Sequence, residues 1–299
     1  MRIAVTGGSG FIGNELVKKL IEKGHKPIVI DIAEPEELKN VEFKKVDVTN
    51  LKQLITALKN ADVVYHLAGT TVDPVRRDPY NAISINVTGT QNVLEACRLT
   101  EIEKILFASS FYVYSGIEEK QIVNEETPLD ISKMELFGAI KYFCESMVKS
   151  YADKYGLRYV IFRFGSAYGP SEKCSNVIRT FIQMAQNGEP IEIWGKGTRR
   201  NQYTFVEDIA NGCVLGIDSE NEIYNLISPE ETSTGELAQL LRRKYKFEIV
   251  FITERKEGPS MPYMSSRKAM KELGWNPVKL EQGIEQTITD MQRGVKADD

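Results

Sequence analysis

Nine residues near the N-terminus decide the fold: Val5-Thr6-Gly7-Gly8-Ser9-Gly10-Phe11-Ile12-Gly13. They follow the apolar run Ile3-Ala4-Val5 and open a helical pattern over Phe11 to Lys23. In a strand–turn–helix setting the three glycines serve different ends. Gly7 makes the tight turn, Gly10 lets a pyrophosphate approach the backbone, and Gly13 permits close packing of helix on sheet. The helix start then offers unpaired N–H groups to phosphates. Eighteen residues after Gly13, Asp31 lies at the end of a second strand pattern. A carboxylate there accepts hydrogen bonds from ribose hydroxyls and repels a 2′-phosphate. No arginine follows in Asp31-Ile32-Ala33-Glu34. The combination favours a dinucleotide site over a purely structural turn, and NAD over NADP.

Outward from this turn, short apolar runs alternate with amphipathic segments. Strands are expected over Ile3–Thr6, Pro27–Ile32, Val41–Val46, Asp62–Leu67, Lys104–Ala108 and Tyr159–Phe164. Their β-branched and apolar residues on consecutive positions suit strands buried on both faces. Helices are expected over Phe11–Lys23, Leu51–Leu58, Pro79–Arg98 and Ser132–Tyr155. The alternation predicts an α/β fold with a doubly wound parallel (Rossmann) sheet and right-handed crossovers. Beyond Gly169-Pro170 the regularity fades. Helices are expected over Asn176–Asn187, Phe205–Ile217, Thr234–Tyr245 and Leu280–Arg293, with short strands at Ile191–Trp194 and Ile223–Leu226. The expected division is a cofactor domain over 1–169 and a smaller α/β substrate-binding region over 170–299, with some return of chain to the main sheet.

The 299 residues carry 38 Lys+Arg against 42 Asp+Glu, a net charge of −4, so no basic surface calls for nucleic acid or a membrane. Hydrophobic residues at 42% and charged residues at 27% exclude a disordered chain. No apolar run is long enough to span a bilayer, and the early strand leaves no room for a signal peptide. Cys97, Cys144, Cys174 and Cys213 form no CxxC pair. They read as scattered buried thiols in a reducing cytoplasm. With only His25 and His66 in the chain, no metal site is expected.

Further motifs stand in order after the glycine turn and Asp31. These are Asp47-Val48, His66-Leu67-Ala68-Gly69, Asn86-Val87-Thr88-Gly89-Thr90 and Ser109-Ser110. Tyr168-Gly169-Pro170, Val206-Glu207-Asp208 and Leu273-Gly274-Trp275-Asn276-Pro277 follow them. With these in register, the chain resembles, nearly end to end, the extended short-chain dehydrogenase/reductases of the NAD-dependent epimerase/dehydratase group. The resemblance implies roles by position. Gly7, Gly10, Phe11, Ile12, Gly13, Asp31, Asp47, Val48, Leu67, Ala68, Lys141 and Phe164 would hold NAD, with Asp47 and Val48 flanking the adenine. Ser110 matches the hydroxyl that hydrogen-bonds the reacting oxygen. Lys141 matches the lysine that holds the nicotinamide ribose and lowers the pKa of a catalytic tyrosine. Thr70, Ser110, Ser166, Asn176, Arg199, Arg200 and Asn201 are the candidate residues toward a nucleotide-sugar substrate. His66 reads as a packing residue and Asn86 as a satisfier of buried backbone groups.

One position breaks the pattern. The family motif is Tyr-x-x-x-Lys on one helix face, whereas this chain reads Phe137-Gly138-Ala139-Ile140-Lys141. Phe137 has no ionisable group. Losing a general acid–base costs about 10²–10⁴ in rate. Three readings fit. Phe137 is a deliberate Tyr→Phe replacement that leaves bound substrate unturned, which retention of Ser110, Lys141 and the cofactor motif favours. Alternatively another acid serves, with Tyr112 the candidate, or the chain binds cofactor without catalysis. Phe111 and Tyr112, where the family's dehydratases keep Asp-Glu, argue against sugar dehydration. Ser166 stands at the family's asparagine and Asn201 at its phosphate-binding arginine; Arg199, Arg200 or Arg267 could substitute, or be solvated surface charges. The expected activity is NAD-dependent epimerisation of a nucleotide sugar, or a related redox isomerisation. The alternatives are a non-catalytic NAD-binding sensor or scaffold, and an NAD(H)-dependent sugar-nucleotide reductase. The resemblance also implies a homodimer, through the helices over Pro79–Arg98 and Ser132–Tyr155.

Overall fold

The computed structural model describes residues 1–297 apart from 37, 39, 174, 175 and 259, with side chains through 293. Seven parallel strands form the central sheet: β1 (Arg2–Thr6), β2 (Lys26–Asp31), β3 (Glu42–Lys45), β4 (Val63–His66), β5 (Lys104–Ser110), β6 (Arg158–Phe164) and β7 (Glu222–Leu226). Their spatial order is β7-β6-β5-β4-β1-β2-β3. The order reverses between β1 and β4, where a crevice outside the carboxyl ends of the strands is the usual ligand site of such sheets. Two apolar layers close over the faces, one around Leu54, Val93, Leu94, Ile105 and Val148, the other around Leu16, Val17, Leu106, Phe162 and Ile209.

Strand β3 departs from the expectation of burial on both faces. Glu42 and Lys45 are exposed and Phe43 and Lys44 half-buried, because β3 is the outer strand with β2 as its one neighbour. The crossover helices include α1 (Phe11–Glu22), α2 (Leu51–Leu58), α3 (Gly89–Leu99) and α4 (Leu136–Tyr155). The single helix expected over Pro79–Arg98 is broken into Pro79–Ile83, a π-helical turn over Ser84–Thr88, and α3. Within that wider turn Asn86 is buried, and its amide donates to the Ala82 carbonyl at 2.8 Å. Helix α4 starts at Leu136 rather than Ser132. Asp130 Oδ1 accepts the Ser132 N–H at 3.1 Å and closes a short 3₁₀ turn ahead of it. The helix stops at Gly156, whose φ of +72° suits a residue without a Cβ.

After β6 the chain leaves the sheet and comes back to it. Helix α5 (Val177–Gln186), helix α6 (Val206–Leu215), helix α7 (Thr234–Arg242) and helix α8 (Leu280–Ala297) surround a third core built on Ile178, Phe181, Ile191, Phe205, Leu237 and Ile284. Ile191–Trp194 pairs in parallel with Ile249–Ile252. Ser166–Tyr168 pairs in parallel with Tyr203–Phe205, a strand too short for its apolar pattern to be read in advance. Helix α6 packs along α1, and β7 completes the main sheet beside β6. Phe11 and Ile12, at the start of α1, pack against the third core and so join the glycine turn to the smaller region. Among the described residues no helix is long and apolar enough to cross a membrane. Cys97, Cys144 and Cys213 are buried free thiols, and Cys174 lies outside the described residues.

Candidate active site

The glycine turn is as tight as its residues suggested. Gly7 has φ +72° and donates its N–H to the Ile30 carbonyl at 2.9 Å. A Cβ at Gly7 would stand 2.6 Å from the Ala68 nitrogen, and one at Gly13 would strike the Gly7 carbonyl oxygen. Gly10 is the extended residue ahead of α1, and no side chain caps the helix start. Asp31 ties the turn to β2. Its Oδ2 accepts the Ser9 N–H at 3.0 Å and its Oδ1 accepts the Ile32 N–H at 2.8 Å. Leu67 and Ala68 close the other side, donating to the Thr6 carbonyl at 3.0 Å and the Thr6 hydroxyl at 3.4 Å. Asp47 is exposed, with Thr49 N–H and hydroxyl both donating to its carboxylate at 2.8 Å, while Val48 is buried against Gly89.

The candidate catalytic residues gather where β5 ends. Ser110 is the last residue of β5 and lies beside Phe164 of β6 in register. Its Oγ accepts the Tyr112 N–H at 3.3 Å. Phe137 and Lys141, one turn apart on α4, share the buried face of that helix with Cys144, Glu145 and Val148. Lys141 Nζ donates to the Ala108 carbonyl at 2.9 Å and stands 5.1 Å from the centre of the Phe107 ring. Burial pushes the Lys141 ammonium below its ordinary pKa, against the opposing pull of Cys144 and Glu145. Tyr112 sets its ring edge-on to Phe137, with centroids 5.5 Å apart. Phe137 itself is packed into the core and brings no polar atom.

Thr70, His66 and Asn86 buttress this cluster. Asn86 Oδ1 accepts the Thr70 N–H at 3.2 Å, and its amide donates to Thr70 Oγ1 at 2.7 Å. His66 is bound on both ring nitrogens, to Thr6 Oγ1 at 2.7 Å and Thr90 Oγ1 at 3.0 Å. Burial, with Lys141 nearby, holds its pKa down at about 3, so the ring is neutral and structural.

A buried ion pair escaped the sequence reading. Arg163 of β6 and Glu145 of α4 are almost wholly buried and meet through two bonds, Nε–Oε1 at 3.0 Å and Nη2–Oε2 at 2.8 Å. The Ser109 hydroxyl donates to the same carboxylate at 2.5 Å, and Arg163 Nη1 donates to the Tyr114 hydroxyl at 2.8 Å. The residue before Ser110 is thus clamped to the helix carrying Lys141. The signal was present: a lone arginine inside Ile161-Phe162-Arg163-Phe164 has to find a buried partner.

The substrate-side candidates are less closely gathered. Ser166 is half-buried in the short strand beside Tyr203. Asn176 caps α5, accepting the Arg179 N–H at 3.1 Å and donating to the Ala167 carbonyl at 2.5 Å. Arg200 is held by Glu231 at 2.9 Å and Glu236 at 3.4 Å, so two carboxylates oppose its charge. Asn201 accepts the Gln202 N–H at 2.9 Å. Arg199 is exposed, and its backbone N–H donates to Glu257 at 2.5 Å. Arg267 is exposed at the start of the helix Arg267–Glu272. Among the described residues no cluster of three His, Cys, Asp or Glu could hold a metal.

Residues 3–226 match the model of the NAD dependent epimerase/dehydratase family. The chain belongs to this family. A candidate UDP-glucose 4-epimerase of Methanocaldococcus jannaschii is 33% identical over 97% of this chain and 98% of that protein. The crystal structure of UDP-glucose 4-epimerase with UDP-glucose from Thermotoga maritima superposes with a TM-score of 0.91, at 28% identity, covering 99% of this chain and 100% of that one. The UDP-glucose 4-epimerase of Thermus thermophilus, in complex with NAD, gives 0.85 at 28% identity over 98% and 99%. This family member is accordingly an enzyme of the NAD-dependent epimerase/dehydratase type, with NAD as its cofactor. The residues present fit that group: a turn with no room for a Cβ at Gly7 or Gly13, an uncapped helix start, and an acid closing β2.

Proposed function

We propose that this chain epimerises a nucleotide sugar, oxidising one ring hydroxyl and reducing it again while NAD stays bound. The observation that carries the reading is the placement of Ser110 and Lys141 at the end of β5, Ser110 as the last residue of the strand and Lys141 through its bond to the Ala108 carbonyl. In this reading the turn and the start of α1, from Gly7 through Gly13, bind the pyrophosphate. Asp31 accepts from the adenosine ribose, Asp47 and Val48 flank the adenine, and Leu67, Ala68 and Phe164 line the cleft. Lys141 binds the nicotinamide ribose. Ser110 orients the sugar oxygen. NAD, when bound, accepts a hydride from the sugar carbon and returns it. Thr70, Ser166, Arg199 and Asn201 face the sugar nucleotide, while Glu231 and Glu236 occupy Arg200. UDP-sugars are the class to try first, since the Thermotoga maritima neighbour holds UDP-glucose.

The same reading makes the protein a cytoplasmic homodimer. Tyr80 and Ile83 on the short helix Pro79–Ile83, Leu99 at the end of α3, and Leu136, Phe143 and Tyr155 on α4 expose large apolar surface that a second copy would cover. The deciding experiment supplies UDP-glucose and UDP-glucuronate to the NAD-loaded protein and its Phe137→Tyr variant, with products separated by anion-exchange chromatography. Restoring a phenol at the acid–base position is expected to raise turnover by about 10²–10⁴. A Phe137→Tyr protein that binds NAD and converts neither sugar refutes the reading. Stoichiometric consumption of NADH would instead indicate a reductase.

A further inference from the structure

We propose that Tyr112 is the residue through which this chain exchanges a proton with the sugar hydroxyl, in place of any group at position 137; the inference rests on the nucleotide-sugar reading above. Tyr112 neighbours both Ser110 and position 137. It follows Ser110 by two residues on the turn Phe111–Tyr114, and its backbone N–H donates to the Ser110 hydroxyl. Its ring lies edge-on against Phe137, so the two rings form one wall of the site. Other buried phenols near the sheet are committed elsewhere. Tyr114 binds Arg163, Asn225 and the Asn124 carbonyl, Tyr168 the Leu280 carbonyl, and Tyr65 the Cys213 carbonyl. Burial and nearby charges act on the Tyr112 hydroxyl, with no side-chain hydrogen bond among the described residues.

Its charged surroundings come from three elements. Asp73 and Arg76 lie on the helix Val72–Arg77, Glu135 stands ahead of α4, and Arg199 belongs to the smaller region. Arg76 and Glu135 pair at 2.9 Å. Charges of both the main sheet's helices and the smaller region thus act on the phenol. In the oxidation step the sugar O–H breaks and its proton passes to the Tyr112 phenolate, while the hydride on the same carbon passes to NAD. In the reduction step the hydride returns to the carbon and the proton to its oxygen, so no outside oxidant or reductant is consumed.

Burial raises the Tyr112 phenol above its ordinary value, with Glu135 and Asp73 in the same direction and Arg76 and Arg199 opposing. The phenolate is then scarce at neutral pH. Turnover limited by it rises about tenfold per pH unit, or roughly 100-fold between about pH 7.5 and 9.5.

The test compares the full-length protein with Tyr112→Phe, Phe137→Tyr and the double variant. UDP-glucose turnover is followed across that pH range, with NAD affinity by calorimetry and phenolate ionisation by ultraviolet difference titration. The expected result is a wild-type rate that climbs with pH and falls by about 10²-fold or more in Tyr112→Phe at unchanged NAD affinity. The titration of wild type against Tyr112→Phe should show one phenol ionising above its ordinary value. Phe137→Tyr should flatten the pH profile and make the rate insensitive to Tyr112→Phe. Wild-type rates in Tyr112→Phe, or an inert wild type beside an active Phe137→Tyr, overturn the inference and leave the nucleotide-sugar reading standing. Silence of the wild type and Phe137→Tyr alike overturns both.

Discussion

Replacing Glu145 by glutamine probes the joint between β5, β6 and α4 with almost no change of shape. Glu145 and Arg163 have side-chain exposures of 1% and 2%, and the carboxylate receives both guanidinium bonds as well as the Ser109 hydroxyl. Glutamine keeps one oxygen acceptor but turns an NH₂ group toward a guanidinium that has nothing to accept it. The guanidinium is then a buried charge without a counterion, and breaking such a pair from one side costs about 3–5 kcal/mol. At roughly 2 °C per kcal/mol for a chain of this length, Tm should fall by about 6–10 °C. Urea unfolding is the assay: the midpoint should move while the slope stays constant. Replacing both partners with apolar residues, Glu145→Leu with Arg163→Met, should recover most of the loss, because the desolvation cost disappears with the charges. A loss below about 1 kcal/mol in Glu145→Gln would refute the reasoning, since it would mean that Arg163 finds water or another partner as readily as this carboxylate.

Two further expectations come from the cofactor side. His66 is held neutral, with its pKa near 3. Below about pH 6.5 the unfolded chain therefore takes up a proton that the folded chain refuses. Its contribution is complete above that pH and declines toward pH 3 by up to about 1.4 kcal/mol per unit. His66→Gln should flatten the acid limb of stability measured by urea titration at several pH values; an unchanged limb would contradict the burial argument. Asp31→Ala removes charged hydrogen bonds of about 1.5–3 kcal/mol each, so NAD should bind roughly 10- to 100-fold more weakly and NADP should be rejected less. Calorimetry with both dinucleotides checks this, and unchanged discrimination would remove Asp31 from the ribose site.

The sheet was legible because consecutive apolar runs and the glycine turn each report a local constraint. Gly7 must adopt φ +72° and Gly13 must pass beneath the Gly7 carbonyl, and a side chain cannot hide either requirement. The π turn at Ser84–Thr88 was illegible, because an amphipathic stripe runs through it unbroken and only the Asn86 amide records the widened register. Edge placement of β3 also lay outside local pattern, since it depends on which strand pairs with β2. At the site, Ser110, Phe137 and Lys141 are singled out by the family resemblance, and the four-residue spacing of the last two puts them on one helix face. The ties of Arg200 to Glu231 and Glu236 could not be read in advance, because those partners lie some 30 residues away on another element. The Glu145–Arg163 pair stood between these cases: each charge was conspicuous on an apolar face, and their pairing needed the register of β5 and β6.

The late arrival of β7 bears on how the chain is made. Strand β6 is complete at Phe164, yet its outer neighbour is not synthesised until Leu226. For some sixty residues of ribosomal elongation, the run Val160-Ile161-Phe162-Arg163-Phe164 has an open row of backbone donors and acceptors on an apolar strand. Such an edge invites pairing with another nascent chain. A fragment cut after Gly169 would carry that edge permanently, however well its glycine turn was formed. The seven-stranded sheet is thus completed only after much of the smaller region has been translated.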